Sequence, residues 1–286
     1  MRTKHETMLE HNKRSAILDR LQEKVTAGRP ILCAAAADAL TAKSLERAGA
    51  DMILVTNGAR YEAGNESVFG LLPYGNANLA VKECGAIVAG AVQHTPLFAG
   101  ACATDPMCGR SQLLRQFRQL GFTGVVNDPS LGLVDGEFRA HLEKSGMSYS
   151  QEVDCIASAR QLQLLAIGNV FSTEEARGMM KAGADLIQVH LLSVSGHADI
   201  REPIARLQEL VAVCKAFRED VLILLQCDVR ISCEMMQDIL IDCPPLAGFR
   251  LRLRRSAFPN ETAFIRHLLG YKKLELGRPV SSARIS

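Results

Sequence analysis

Aspartate, asparagine, threonine, glutamine and histidine recur in this chain where short apolar runs end, a place where chemistry can be done. Ile53-Leu54-Val55 runs into Thr56 and Asn57, Leu97–Gly100 into Thr104 and Asp105, and Val125-Val126 into Asn127 and Asp128. Leu186–Val189 meets His190, and Leu222–Leu225 meets Gln226, Cys227 and Asp228. A carboxylate such as Asp105 can hold Mg2+ through oxygen or move a proton, and before Pro106 it can equally open a turn. The Asn127 amide suits a substrate carbonyl or carboxylate. Arg139 carries a fork for a bidentate clamp on a carboxylate, or pairs with Glu143 one helical turn on. His190 suits proton transfer or a hydrogen bond to an enolate-like oxygen, against the plainer reading of a packed histidine. Cys227, with no base near it in sequence, is a weak nucleophile candidate.

The elements that must position these residues alternate. A polar helix over about 8–26 leads into strands over 30–36, 51–56, 97–101, 123–127, 164–167, 185–190, 221–226 and 247–251. Between and after them, helical spacing of apolar residues marks 39–48, 77–92, 110–120, 150–163, 173–182, 200–217, 233–241 and 261–269. Eight β/α units with continuously apolar strands predict a single (β/α)8 barrel over about 30–270, covered on both faces, with an extra N-terminal helix and a tail over 277–286. Arg47–Asp51 and Lys181–Asp185 each place a glycine stop between helix and strand, as a turn on the closed side of a barrel requires. No Gly-rich nucleotide loop follows the first strand, which argues against a doubly wound sheet. Strand ends of a parallel barrel converge on one mouth, so the five polar ends predict a small-molecule site.

The connection after the second strand is long for such a unit and carries Asn57, Arg60, Tyr61, Tyr74, Asn76 and Asn78 among glycines. It reads as an ordered lid whose Asn57, Arg60, Tyr74 and Asn76 bind substrate, or with Asn76 or Asn78 capping the next helix, and both roles can coexist. His94 precedes the third strand, at the closed end, and reads as structural.

Composition narrows the function classes. A net charge of +2 offers no basic field for nucleic acid, and Arg250, Arg252, Arg254 and Arg255 alternate with leucines as on a strand with a solvated or anion-facing side. Nine cysteines without a CxxC pair fit free thiols in a reducing compartment, so a cytoplasmic protein is expected. No apolar run reaches the roughly 18 residues that span a bilayer, and no signal-like core opens the chain, so no membrane partner is expected.

The segments Leu71–Asn78, His94–Pro96, Ala103–Pro106, Gly121–Val153 and Ala182–His190 resemble, as a set, the phosphoenolpyruvate hydrolase-like family of TIM-barrel proteins. The resemblance is good over about 31–190 and most specific in 121–153. It implies kinship with phosphoenolpyruvate mutase and isocitrate lyase enzymes, which act on small α-oxo acids and phosphoenolpyruvate, usually with Mg2+. Departures are clear: glycine-rich turns of relatives are replaced by Ala34–Asp38 after strand one, Ser193–Ala198 after strand six, Gln226–Val229 after strand seven and Arg252–Ser256 after strand eight. Losing backbone nests after strands seven and eight removes the usual barrel route to phosphate.

Two readings follow. In one, the chain is a lyase- or hydrolase-type enzyme on an oxo-acid or phosphoenolpyruvate-like carboxylate, assisted by Mg2+. Asp105 is then metal ligand or acid/base, with His190 and Asn127 also catalytic and Asn57, Arg60, Tyr74, Asn76 and Arg139 binding substrate. In the other, the altered loops leave a catalytically degenerate barrel that senses a ligand or binds a protein. A homo-oligomer is expected in either case, with the first helix and the tail as assembly arms.

Overall fold

A computed structural model describes residues 4–63, 75–191, 201–227, 231–253 and 255–277 of the chain. Strands β1 (Ile31–Ala35), β2 (Met52–Val55), β3 (Leu97–Gly100), β4 (Gly124–Val126), β5 (Leu165–Val170), β6 (Leu186–Leu191), β7 (Leu222–Cys227) and β8 (Gly248–Leu251) run parallel in sequence order, and β8 pairs with β1 to close a barrel. Around them run helices α2 (Ala39–Arg47), α3 (Asn57–Ala63), α4 (Ala77–Ala89), α5 (Arg110–Gln119), α6 (Gly136–Lys144), α7 (Tyr149–Gln161), α8 (Thr173–Lys181), α9 (Arg201–Phe217), α10 (Cys233–Asp242) and α11 (Glu261–Tyr271). The expected TIM barrel is the observed fold, preceded by helix α1 (Lys4–Thr26).

Side chains alternate along each strand, and the alternation sorts the core into two bodies. One parity (Ile31 and Cys33, Met52 and Leu54, Phe98, Val126, Leu165 and Ile167, Leu186, Leu222 and Leu224) packs together as the barrel's filling. The other parity (Leu32, Ile53, Val125, Ile187, Ile223 and Phe249 among them) packs under the helices. The filling is tight. A Cβ on Gly124 would lie 2.5 Å from the Phe98 ring and 2.6 Å from the Leu165 carbonyl oxygen, so only glycine lets Phe98 occupy the centre.

The closed end is plugged by α1. Leu21 is buried within the barrel filling, with Ile17, Leu18 and Val25 beside it. Ion pairs orient the plug: Arg14 bonds Asp185 ahead of β6, and Lys24 bonds Asp51 ahead of β2. Burial lowers the Lys24 ammonium to about 8 against the pull of Asp51. The α1 residues after 12 therefore have a structural task inside the chain.

Two differences from expectation bear on the site. The connection after β2 opens with helix α3, because Thr56 Oγ1 accepts the Ala59 amide and caps a first turn. Strand β5 runs three residues beyond Ile167, since Gly168, Asn169 and Val170 still pair with β6. This brings Asn169 to the barrel mouth. Truncation of the plug in Leu21→Ala is expected to cost about 2–5 kcal/mol. Urea unfolding should show it as a fall in midpoint at unchanged slope.

Candidate active site

At the C-terminal end of the barrel the inward parity turns from apolar to polar. Above Ile167 sits Asn169, above Leu186 come Gln188 and His190, above Leu224 is Gln226, and above Gly248 is Arg250. These are nearly all buried: Gln188 is fully enclosed, while His190 and Gln226 are 6% and 7% exposed. Buried polar groups must find partners, and these form a chain. Arg250 Nη1 donates to Gln226 Oε1 at 2.7 Å and to Asp128 Oδ2 at 3.1 Å. Gln188 Nε2 donates to Gln226 Oε1 at 2.6 Å and to Asn169 Oδ1 at 3.2 Å, and Gln226 Nε2 lies 3.3 Å from His190 Nε2. The His190 ring packs on Phe171, centroids 4.9 Å apart.

The Arg250–Asp128 pair joins β8 to the residue beyond β4, opposite strands of the barrel, and so spans the mouth. Both Arg250 bonds leave from Nη1. Among the described residues Nε and Nη2 have no hydrogen-bond partner, and the side chain is 10% exposed. The guanidinium thus presents one edge of its fork to whatever enters, with a single carboxylate as counter-ion. Gln188 Oε1 is likewise an acceptor without a partner among the described residues.

Parity also decides Asn127. It follows inward Val126, so its side chain turns outward, and the amide is used within the protein: Nδ2 donates to Glu152 Oε2 at 2.6 Å and to the Asn169 carbonyl at 3.0 Å, while Oδ1 accepts the Asn169 amide at 2.6 Å. Asn127 holds the end of β5 in place, and the neighbouring Asp128 is the residue at the mouth. Glu152 on α7 is the centre of this support. It accepts from Asn127, from Ser130 Oγ at 2.7 Å and from the Leu131 amide at 2.7 Å, and the Tyr149 hydroxyl donates to the Asn169 carbonyl at 2.6 Å. Complete burial pushes the Glu152 carboxyl up to about 7 despite those three donors.

Asp105 lies in a second cluster. Its Oδ2 accepts from Asn76 at 2.8 Å and Asn78 at 2.9 Å, and Oδ1 accepts the Met107 amide at 2.9 Å. Burial alone would raise this carboxyl, but the donors outweigh it and hold it below the usual carboxylate range. Asn76 also caps α4 by accepting the Leu79 amide, so the capping role coexists with the contact to Asp105. Among the described residues no group of three His, Cys, Asp or Glu side chains comes together to hold a metal ion. The donor set does not make a protein cage for Mg2+. It fits an ion carried by a chelating substrate and water, with Asp105 Oδ1 as carboxylate ligand, since Mg2+ is commonly bound by one or two carboxylates plus substrate.

The remaining expected residues are placed as follows. Asn57 is buried at the start of α3. Arg60, on the exposed side, pairs with Glu83 at 2.6 Å. Arg139 is taken up by Glu175 at 2.8 Å and Glu143 at 3.1 Å and lies over the Tyr149 ring, so its charge is answered inside the chain, away from the Arg250 network. Tyr74, residues 192–200, Asp228 and the Cys227 side chain lie outside what is described. Asn169, Gln188 and Arg250 were not singled out from sequence. Once the barrel filling fixes the inward parity of β5 and β6, counting along those strands places Asn169 and Gln188 on it.

Comparison with known proteins places this geometry in context. Residues 16–274 match the phosphoenolpyruvate hydrolase-like family. The ToMV resistance protein Tm-1(GCR237) of Solanum lycopersicum is 39% identical over 209 residues, 72% of this chain and 28% of that protein. The chain therefore spans under a third of that relative's length. Among solved structures, phosphonopyruvate hydrolase in complex with oxalate and Mg2+ aligns at TM-score 0.54 and 16% identity, covering 89% of this chain and 83% of that one. Oxaloacetate acetylhydrolase in complex with its product oxalate aligns at TM-score 0.53 and 14% identity, covering 90% and 86%. At these identities the structures share the fold.

The Glu152 cage has a pH signature. Its carboxyl titrates near 7 when folded and near 4.5 when unfolded, so the folded state binds the extra proton between those values. Stability contributed by this group is therefore full below pH 4.5 and falls as pH rises to 7. Glu152→Gln cannot titrate, so its stability deficit relative to the parent should shrink by a few kcal/mol between pH 4.5 and 7. Denaturant unfolding of both proteins at each pH would measure this, and a deficit that grows with pH would contradict the assignment.

Proposed function

The chain belongs to the phosphoenolpyruvate hydrolase-like family, and from that premise we propose that it is a lyase- or hydrolase-type enzyme that binds a small oxo-acid or phosphoenolpyruvate-like carboxylate in the barrel mouth. The observation that carries this reading is Arg250, a largely buried guanidinium that bonds Gln226 and Asp128 through Nη1, with no hydrogen bond from Nε or Nη2 among the described residues. A carboxylate meeting the Nε/Nη2 edge makes two charge-assisted bonds in a site of low dielectric, where each is strong.

Asp128 balances the charge before substrate arrives and shares Arg250 afterwards. His190 lies one hydrogen bond from Gln226 and serves as the polar partner of an oxygen that gains charge during reaction. Asp105, kept ionised by its three donors, is the group for proton transfer or for the metal. Mg2+ bound by substrate and Asp105 would polarise the oxo or enol oxygen. The two solved neighbours each hold oxalate, which supports a two-carbon carboxylate as first probe. Asn127, Asn57, Arg60 and Arg139 take supporting roles in this reading, since the first, third and fourth bond within the chain. A catalytically degenerate barrel that senses a ligand or binds a protein is the second reading, supported by the sequence replacing the glycine-rich turns of relatives after strands one, six, seven and eight.

Calorimetric titration with oxalate, with and without Mg2+, tests the proposal. Losing a hydrogen-bonded charge in Arg250→Gln is expected to weaken oxalate about 10- to 100-fold. Asp105→Asn should abolish the Mg2+ dependence while leaving metal-free binding. Unchanged affinity in Arg250→Gln would place the ligand elsewhere. Tight binding without turnover across pyruvate, oxaloacetate and phosphoenolpyruvate would select the sensor.

A further inference from the structure

Arg250 stands in the mouth with its charge already answered. Among the described inward-facing residues there, it carries the fixed positive charge, and Asn169, Gln188 and Gln226 are neutral amides. Asp128 meets it at 3.1 Å, and the two side chains are only 10% and 17% exposed. Arginines that could add to it are engaged elsewhere or lie in water. Glu175 and Glu143 hold Arg139, Glu83 holds Arg60, and Arg252 is exposed beyond the end of β8. Asp105, after the neighbouring strand β3, adds a second carboxylate to the strand ends.

An acid that reaches Arg250 therefore gains hydrogen bonds more than charge balance. Nε and Nη2 have no hydrogen-bond partner among the described residues, and neither has Asp128 Oδ1. One carboxylate can use the guanidinium nitrogens in charge-assisted bonds, which leaves one negative charge in excess. Any ligand on that guanidinium lies close to Asp128, because one planar group bonds both. A second ionised group on a small ligand then faces Asp128 across a few ångströms with little water between, where like charges repel far more than in bulk solvent. A neutral N–H or O–H in its place can donate to Oδ1 instead.

We propose that Asp128 is a specificity-determining residue: paired with Arg250, it restricts the metal-free mouth to small acids with one ionised group and disfavours those with two. This rests on the reading of Arg250 as the carboxylate-binding group, and it narrows that ligand to a monoanion.

Oxalate and oxamate make the test, since oxamate replaces one carboxylate of oxalate by a carboxamide of nearly the same shape. Each is titrated calorimetrically into the full chain in metal-free buffer at neutral pH, where oxalate is a dianion. Oxamate is expected to bind about 10- to 100-fold more tightly. Asp128→Asn, neutral at the same size, should remove or invert that preference, and Asp128→Ser gives the same comparison if the first variant does not fold. Asp128→Glu, which keeps the charge, should keep the preference. Oxalate binding to the parent as tightly as oxamate overturns the proposal without any variant. So does a folded Asp128→Asn or Asp128→Ser that retains the parent's preference. No binding of either acid, or affinities that Arg250→Gln leaves unchanged, sinks the proposed function and this inference together. Oxalate favoured over oxamate, with both lost in Arg250→Gln, sinks this inference alone.

Discussion

A guanidinium inside a barrel has to be neutralised and hydrogen-bonded where it sits, and much of the mouth of this molecule answers that requirement. Arg250 projects inward from β8 above a filling of aliphatic side chains. Removing its charge from water is costly unless a counter-ion and acceptors come with it. Asp128 supplies the charge from across the barrel and Gln226 supplies the acceptor. The consequence spreads because amides have two ends: an oxygen turned to Arg250 means a nitrogen turned to His190, and the same oxygen orients Gln188 and through it Asn169.

The support outside the barrel follows a similar logic with a carboxylate at its centre. Glu152 has no cation against it; three neutral donors hold it, one of them the Asn127 amide that also grips both the amide and the carbonyl of Asn169. The two systems meet at Asn169, whose backbone belongs to the Glu152 support and whose side chain belongs to the Arg250 network. β5 is therefore anchored from outside at the residue that contributes to the mouth. At the other end of the barrel, α1 closes the floor with Leu21 and two ion pairs. Above a packed floor and a packed middle the polar residues lie at the top, the usual place for chemistry in this fold.

Family membership and local chemistry carry different weights here. The match over 16–274 covers nearly the whole barrel, while the solved neighbours at 14–16% identity share its shape. A shared fold does not transfer a reaction. The local chemistry of this chain consists of amides on β5, β6 and β7 and an arginine on β8 at the mouth, with an Asp105 cluster built from two asparagines beside it in the sequence of strand ends.

The sequence by itself determined the barrel, since eight continuously apolar runs alternating with helical spacing have few other ways to bury both faces. It also marked Asp105, His190 and Gln226, because a polar residue ending an apolar run is visible without coordinates, and Asn76 within the long connection after strand two. It did not say which way each one faces. A shift of one residue along a strand exchanges core for mouth, and so Asn127 proved to be a support while Asp128 spans the opening. Asn169 was hidden by a strand that runs three residues further than its apolar part suggests. Arg250 read as part of a strand with a solvated or anion-facing side, and closure of β8 onto β1 turned it inward. Arg139 has the same side chain as Arg250 and the opposite fate: Glu175, 36 residues further on, reaches it only once α6 and α8 are packed around β5. Contacts of that range depend on tertiary packing, and so does the network that joins Arg250, Gln226 and Gln188 across three strands.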